Sequence, residues 1–136
     1  MERSAEVEAV VAQFYDAMGR GDIEAAQGLL SPHLTAVIGT DYAEWWTGYE
    51  AAYAALAAQL EVAGEFGFEP GSLRGFCLGD VGWFEDRAAL GLDYGDFLPV
   101  RVTGVLHREG GRWLLVQMHL SLGTPNAEVG MTDLPV

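Results

Sequence analysis

Apolar residues recur at helical spacing early in the chain and at strand spacing later, so the pattern predicts helices first and sheet after. Val7, Val10, Val11, Phe14 and Met18 form the buried stripe of a first helix, with Ser4 as its cap and Glu6 and Glu8 in its first turn. Gly19 and Gly21 end it. Asp22 caps a second, short helix through DIEAAQGLL, which Pro32 closes. Leu34 to Ile38 is β-rich and reads as a short strand. Thr47 and Glu50 have capping-box spacing for a third helix, in which Tyr49, Tyr53, Leu56 and Leu60 share one face up to Gly64.

Beyond Gly64 the period changes to two. FGFE and LRGFCL read as one broken strand or two, with Pro70-Gly71 as the break. Gly79-Asp80 is a turn, VGWFEDRAAL a long strand and LDYGDFLP a loop. A hairpin over Pro99 to Gly123 turns at Gly110-Gly111 and closes the sheet. Helices gathered on one side of such strands predict an α+β fold. The expected form is a cone-shaped curved antiparallel sheet packed over three N-terminal helices. Residues 1–136 read as a single domain, with 124–136 as a C-terminal tail that lies as loop across a neighbour. The last strand is apolar on both faces, Leu114, Val116, Met118, Leu120 and Leu122 against Trp113 and Leu115. Burying both faces calls for a second copy, hence a homodimer through the outer sheet face.

Composition narrows the chemistry. The 136 residues are half hydrophobic, enough for a real core. Net charge is −13, which disfavours nucleic acid and anionic membrane surfaces as partners. All seven basic residues are arginine, so lysine Schiff bases, P-loop lysines and pyridoxal-phosphate attachment are excluded. No apolar run is long enough to span a membrane, and the first ten residues carry no apolar signal core. The one cysteine, Cys77, forms no internal disulfide and fits a cytoplasmic protein. The three histidines are scattered, so no metal is expected, and no cofactor.

This order of elements, together with FYDAMGRGDIEAAQGLLSP, WTGYEAAYAAL, GDVGWF and RVTGVLHREGGRWLLVQMHLS, resembles the nuclear transport factor 2-like superfamily, most closely its SnoaL-like branch. The resemblance implies a pocket between sheet and helices and a homodimer. It implies no single activity, because isomerases, cyclases, dehydratases, epoxide hydrolases and binding modules share the fold. Ketosteroid isomerases carry a helix-1 tyrosine where this chain has Phe14, and a catalytic aspartate where it has Ile38. Tyr15 sits one place on, about 100° around the helix. Enzymes like limonene-epoxide hydrolase need an Asp-Arg-Asp set. Arg101 supplies an arginine, but the last strand offers His119 rather than a carboxylate. Enzymes like scytalone dehydratase use histidine, aspartate and tyrosines, types present here as His119, Asp41, Tyr42 and Tyr53.

His119 is the first candidate for acid/base chemistry, since imidazole titrates near neutrality. The competing reading is a structural histidine bonded to Ser121 or Gln117. Asp41 is the expected catalytic partner, set against a plain solvated loop acid. Tyr15, Trp46, Tyr53, Trp83, Glu85, Arg101 and Ser121 complete the expected pocket. For the aromatic members the bland reading is core packing. Arg101 depends on register: a two-residue turn puts Val100 and Val102 on the His119 face, and a three-residue turn with a bulge puts Arg101 and Thr103 there. The expected function is a pocket for a small hydrophobic or aromatic molecule, with acid/base catalysis of isomerase, cyclase or dehydratase type. The alternative is a non-catalytic ligand-binding or oligomerisation module.

Overall fold

A computed structural model of the chain describes residues 1–64, 67–91 and 95–136. It begins with strand β1 (Glu2–Arg3), helix α1 (Ala5–Gly19), helix α2 (Ile23–Gln27), strand β2 (Ala36–Ile38), strand β3 (Trp45–Thr47) and helix α3 (Tyr49–Ala63). Strands β4 (Phe68–Glu69), β5 (Arg74–Leu78), β6 (Val81–Gly91), β7 (Phe97–Glu109) and β8 (Arg112–Ser121) follow. The sheet runs β1-β5-β6-β7-β8-β2-β3, with β4 beside β6. Every pairing is antiparallel except β2 with β8. The α+β reading holds, with a mixed, mostly antiparallel sheet over three helices.

Local chemistry explains the helices. The Ser4 hydroxyl accepts from Val7 N and the Asp22 carboxylate from Ala25 N, as N-caps should. The α1 stripe Val7, Val11, Phe14 and Met18 is buried, and Tyr15 and Ala17 join it. Helix α2 stops at Gln27, short of the expected span, because Leu30 bridges to Leu115 of the sheet. Thr47 does not cap α3. It pairs with Ala36 in β3, and Gly48 takes the cap position at φ 86°, so the expected capping box does not form. Strands β1 and β3 had no sequence signal, since both are short and held by partners. Residues 97–98, expected as loop, extend β7 against Leu90 and Gly91. The rest of that loop includes 92–94, which lie outside the described residues.

The closing hairpin settles the register. Gly110 and Gly111 both have positive φ, 57° and 79°, and Glu109 faces Arg112 across a two-residue turn. Val105 pairs with Gln117 but Leu106 with Leu115, so Val116 is an extra residue in β8. This bulge reverses the faces beyond it. Arg101 and Thr103 therefore lie opposite Ser121 and His119, the outcome expected of a longer turn. It also accounts for the two-sided apolar pattern. Leu115 before the bulge and Met118 after it both enter the core, with Leu120 packed against it, while Gln117 and His119 face outward. The core lies between this inner face and the helices, around Phe14, Phe84, Val100, Val102 and Leu106. Among the described residues no helix is long and apolar enough to cross a membrane. The tail beyond Ser121 is mostly exposed, with one 3-10 turn at Asn126–Val129.

Candidate functional site

Between helices and sheet lies a cavity of about 530 Å³. Phe14 and Met18 of α1, Val37 of β2 and Met118 and Leu120 of β8 wall its inner part. Trp46 of β3, Leu56 of α3, Phe68 of β4 and Leu90 of β6 extend the apolar lining. Thr40, Val62 and Ala63 line it while exposed, so the opening lies between the loop after β2 and the end of α3.

Beside the exposed Thr40, Glu44 and Gln59 are half-buried polar groups at that opening. Gln59 Nε2 donates to Glu44 Oε2 at 2.6 Å, and Asp41 N donates to Glu44 Oε1 at 2.8 Å. A Cβ on Gly39 would come within 2.7 Å of Glu44 Oε1, so the absent side chain at Gly39 leaves room for the acid. Glu44 is thus a fixed carboxylate on an apolar cavity. Sequence reasoning missed it, although a signal existed. Trp46 was expected in the pocket, and a residue two places earlier in extended chain shares its face.

Of the expected pocket residues, Trp46 lines the cavity. Tyr15 is buried beside it, stacked on Phe68 at 5.1 Å between ring centroids, with its hydroxyl donating to Asp86 Oδ2 at 3.0 Å. Burial, and after it the Asp86 carboxylate, push the Tyr15 phenol far above its ordinary range. Asp86, not Glu85, is the buried acid of β6, and its Oδ1 accepts from Gly71 N and Ser72 N. Tyr53 stacks on Tyr49 and lies off the cavity lining. Asp41 is exposed and turns back on its own loop, accepting from Ala43 N. It serves Glu44 through its backbone.

The remaining candidates sit on the outer sheet face. His119 is exposed there, between Thr103 and Ile38. Trp83 stacks on Phe76 at 6.0 Å, and Glu85 pairs with Arg74 at 3.3 Å. Arg101 donates to the Ser121 hydroxyl at 3.2 Å. These side chains are displaced from the cavity by strand alternation: the inward neighbours on each strand are Phe84, Val102, Met118 and Leu120. Trp83, Glu85, Thr103, Gln117 and His119 instead edge a separate outer hollow of about 430 Å³. The structure therefore does not bring His119 and Asp41 together on the cavity. Among the described residues no group of three or more His, Cys, Asp or Glu side chains could hold a metal ion.

Solved structures match this fold closely in shape and weakly in sequence. A nuclear transport factor 2-like protein of unknown function from Pseudomonas putida KT2440 has a TM-score of 0.81 at 18% identity, covering 97% of this chain and 95% of its own. A provisionally assigned dehydratase of the same family from Streptomyces avermitilis has 0.77 at 19%, covering 88% and 95%. A provisionally assigned calcium/calmodulin-dependent protein kinase type II association domain from Thiobacillus denitrificans has 0.75 at 21%, covering 86% and 94%. No protein of curated function matches the chain. The sequence profile of the SnoaL-like domain matches residues 7–125. With that match spanning the helices and nearly the whole sheet, the chain belongs to the SnoaL-like domain family, and its fold is the one these nuclear transport factor 2-like structures share.

Proposed function

We propose that this protein binds a small apolar molecule between its helices and its sheet, with Glu44 as the group that accepts a proton if the bound molecule reacts. The observation that carries this reading is a cavity of about 530 Å³ with apolar walls and, among the described residues, a single carboxylate fixed at its opening. That volume and lining are typical of small-molecule sites. A carboxylate held at a fixed point beside a bound substrate suits proton abstraction of the isomerase or dehydratase kind. The test uses N-phenyl-1-naphthylamine, an uncharged apolar fluorophore that brightens in dry pockets. The wild-type chain should bind it saturably. Ala58→Trp, at an exposed helix position on the cavity wall, should weaken binding about tenfold or more while leaving the thermal melt intact. Equal binding by both proteins defeats the reading.

A second reading, a non-catalytic association module, is favoured by the outer hollow. Phe76, Trp83 and Val105 lie half-buried there with Ile38, beside the polar Gln117 and His119. An apolar floor with a polar rim suits a second copy of this chain. The fold-level likeness to an association domain agrees with this. Light scattering on size-exclusion peaks should give a dimer that Trp83→Asp converts to monomer. A monomeric wild type at all concentrations sinks this second reading.

A further inference from the structure

We propose that the cavity selects apolar molecules with a protonated amine head and rejects those ending in a carboxylate. The proposal rests on the reading that the cavity binds a small apolar molecule.

Two independent features make the opening negative. The first is Glu44, the one charged side chain among the described lining residues. Its carboxylate is not free to swing into solvent: Gln59 and the Asp41 amide hold one oxygen each, and its chain packs over Gly39. A carboxylate has about four lone-pair positions, so acceptor capacity remains on both oxygens. The second is the C-terminal end of α3, which presents Gln59, Val62 and Ala63 to the cavity. The last carbonyls of a helix carry a partial negative charge, and the last turn of α3 has no basic residue to offset it.

Nothing in the chain balances this potential from within the cavity. All seven arginines and three histidines lie among the described residues, and none lines the site. Arg101, the base with the strongest sequence claim on the pocket, is on the opposite face of the sheet. An anionic head at the opening would therefore meet Glu44 and the helix end without a counter-charge, at a place where apolar walls keep water thin. An ammonium head would instead donate to Glu44 while its chain lies along Trp46, Phe14 and Met118. A hydroxyl head can donate as well, without the charge attraction.

The experiment displaces N-phenyl-1-naphthylamine from the full chain with decylamine, decanol and decanoate, all below their micelle-forming concentrations and at neutral pH. Decylamine should displace the probe at a concentration about tenfold or more below decanoate, with decanol between them. Glu44→Gln keeps the shape over Gly39 and should shrink the amine-to-carboxylate ratio to about twofold or less, and added salt should narrow the wild-type ratio. A probe that binds but is displaced equally well by decanoate overturns the charge selection and leaves the apolar cavity standing. A ratio unchanged in Glu44→Gln also overturns it. A probe that fails to bind the wild type removes the cavity reading and this proposal together.

Discussion

Gln59 of α3 and Glu44 of the loop after β2 share a hydrogen bond of 2.6 Å that ties the two sides of the cavity opening together. The pair lies fifteen residues apart in sequence and joins the loop to the third helix. Cutting it should loosen the loop without unfolding the chain. Gln59→Leu is expected to cost about 1 kcal/mol, the net worth of one such bond. Amide hydrogen exchange should speed up at Asp41, whose N–H rests on the same carboxylate, and not in the β6–β7 pair. Unchanged exchange at Asp41 would show that Glu44 stays in place without Gln59.

The second tie is deeper. Tyr15 bonds Asp86, which is 5% exposed and also holds Gly71 N and Ser72 N. Tyr15→Phe removes one donor and leaves a buried carboxylate oxygen short of a partner, at about 1–3 kcal/mol. Asp86→Ala strips three donors at once and should cost more. The loop itself is sterically fixed. A Cβ at Gly71 would come within 1.8 Å of the Arg87 carbonyl, so Gly71→Ala must push the loop off β6. Chemical denaturation of the three variants should rank Tyr15→Phe as the mildest. If Tyr15→Phe proves neutral, water has replaced the hydroxyl and the tie is not structural.

Much of this architecture was legible in the chain because the signals were local. Ser4 and Asp22 cap the helices they were expected to cap, and the Val7-to-Met18 stripe is the buried one. The site was less legible because it depends on which strand face turns inward. His119, Trp83, Glu85 and Arg101 have the residue types of a pocket, yet one position decides inside from outside in a strand. The bulge at Val116 is the decisive case. It restores the parity that a two-residue Gly110-Gly111 turn alone would have reversed, and Val116 itself is an ordinary strand residue with nothing to mark it. Glu44 was overlooked for a related reason: its partner Gln59 comes from another element, and only the fold brings them together.

Deletion of Val116 tests the bulge directly. Without the extra residue Leu115 still pairs with Leu106 and Gln117 with Val105, so regular alternation from the turn keeps Met118 and Leu120 inward and His119 outward. The cost is local: the Val116 carbonyl accepts from Thr35 N and the Thr35 hydroxyl, and losing that acceptor should cost about 1–3 kcal/mol. That cost is a fraction of a typical domain's stability, so the deletion variant should still unfold cooperatively, at a lower melting temperature than wild type. Val116→Thr keeps the residue count and should melt close to wild type. A deletion variant that loses its fold would mean that the extra residue itself, and not only the pairing on either side of it, holds β8 in place.

Acid should weaken the fold through two glutamates that anchor separate elements. Gly75 N, and then Arg3, hold the Glu8 carboxyl below its ordinary range and fasten α1 to β5. The Ser31 hydroxyl, with the nearby His107 and His33, does the same for Glu109 at the end of β7. A carboxyl whose folded pKa is depressed stabilises the protein fully above its unfolded value, about 4.3 for glutamate. That contribution fades as pH falls through the lower folded value. Stability measured in urea should therefore be flat around neutrality and drop below about pH 4. Glu8→Gln removes one titrating group, so its profile should be shallower in the acid limb and lower on the plateau. Glu109→Gln should act likewise, and the two effects should add, since Glu8 lies on α1 and Glu109 at the end of β7, with no shared partner. An acid limb that keeps its full slope in the double variant would assign the loss to other carboxylates, with Asp22 at the α2 cap next in line because Ala25 N holds it below its ordinary range.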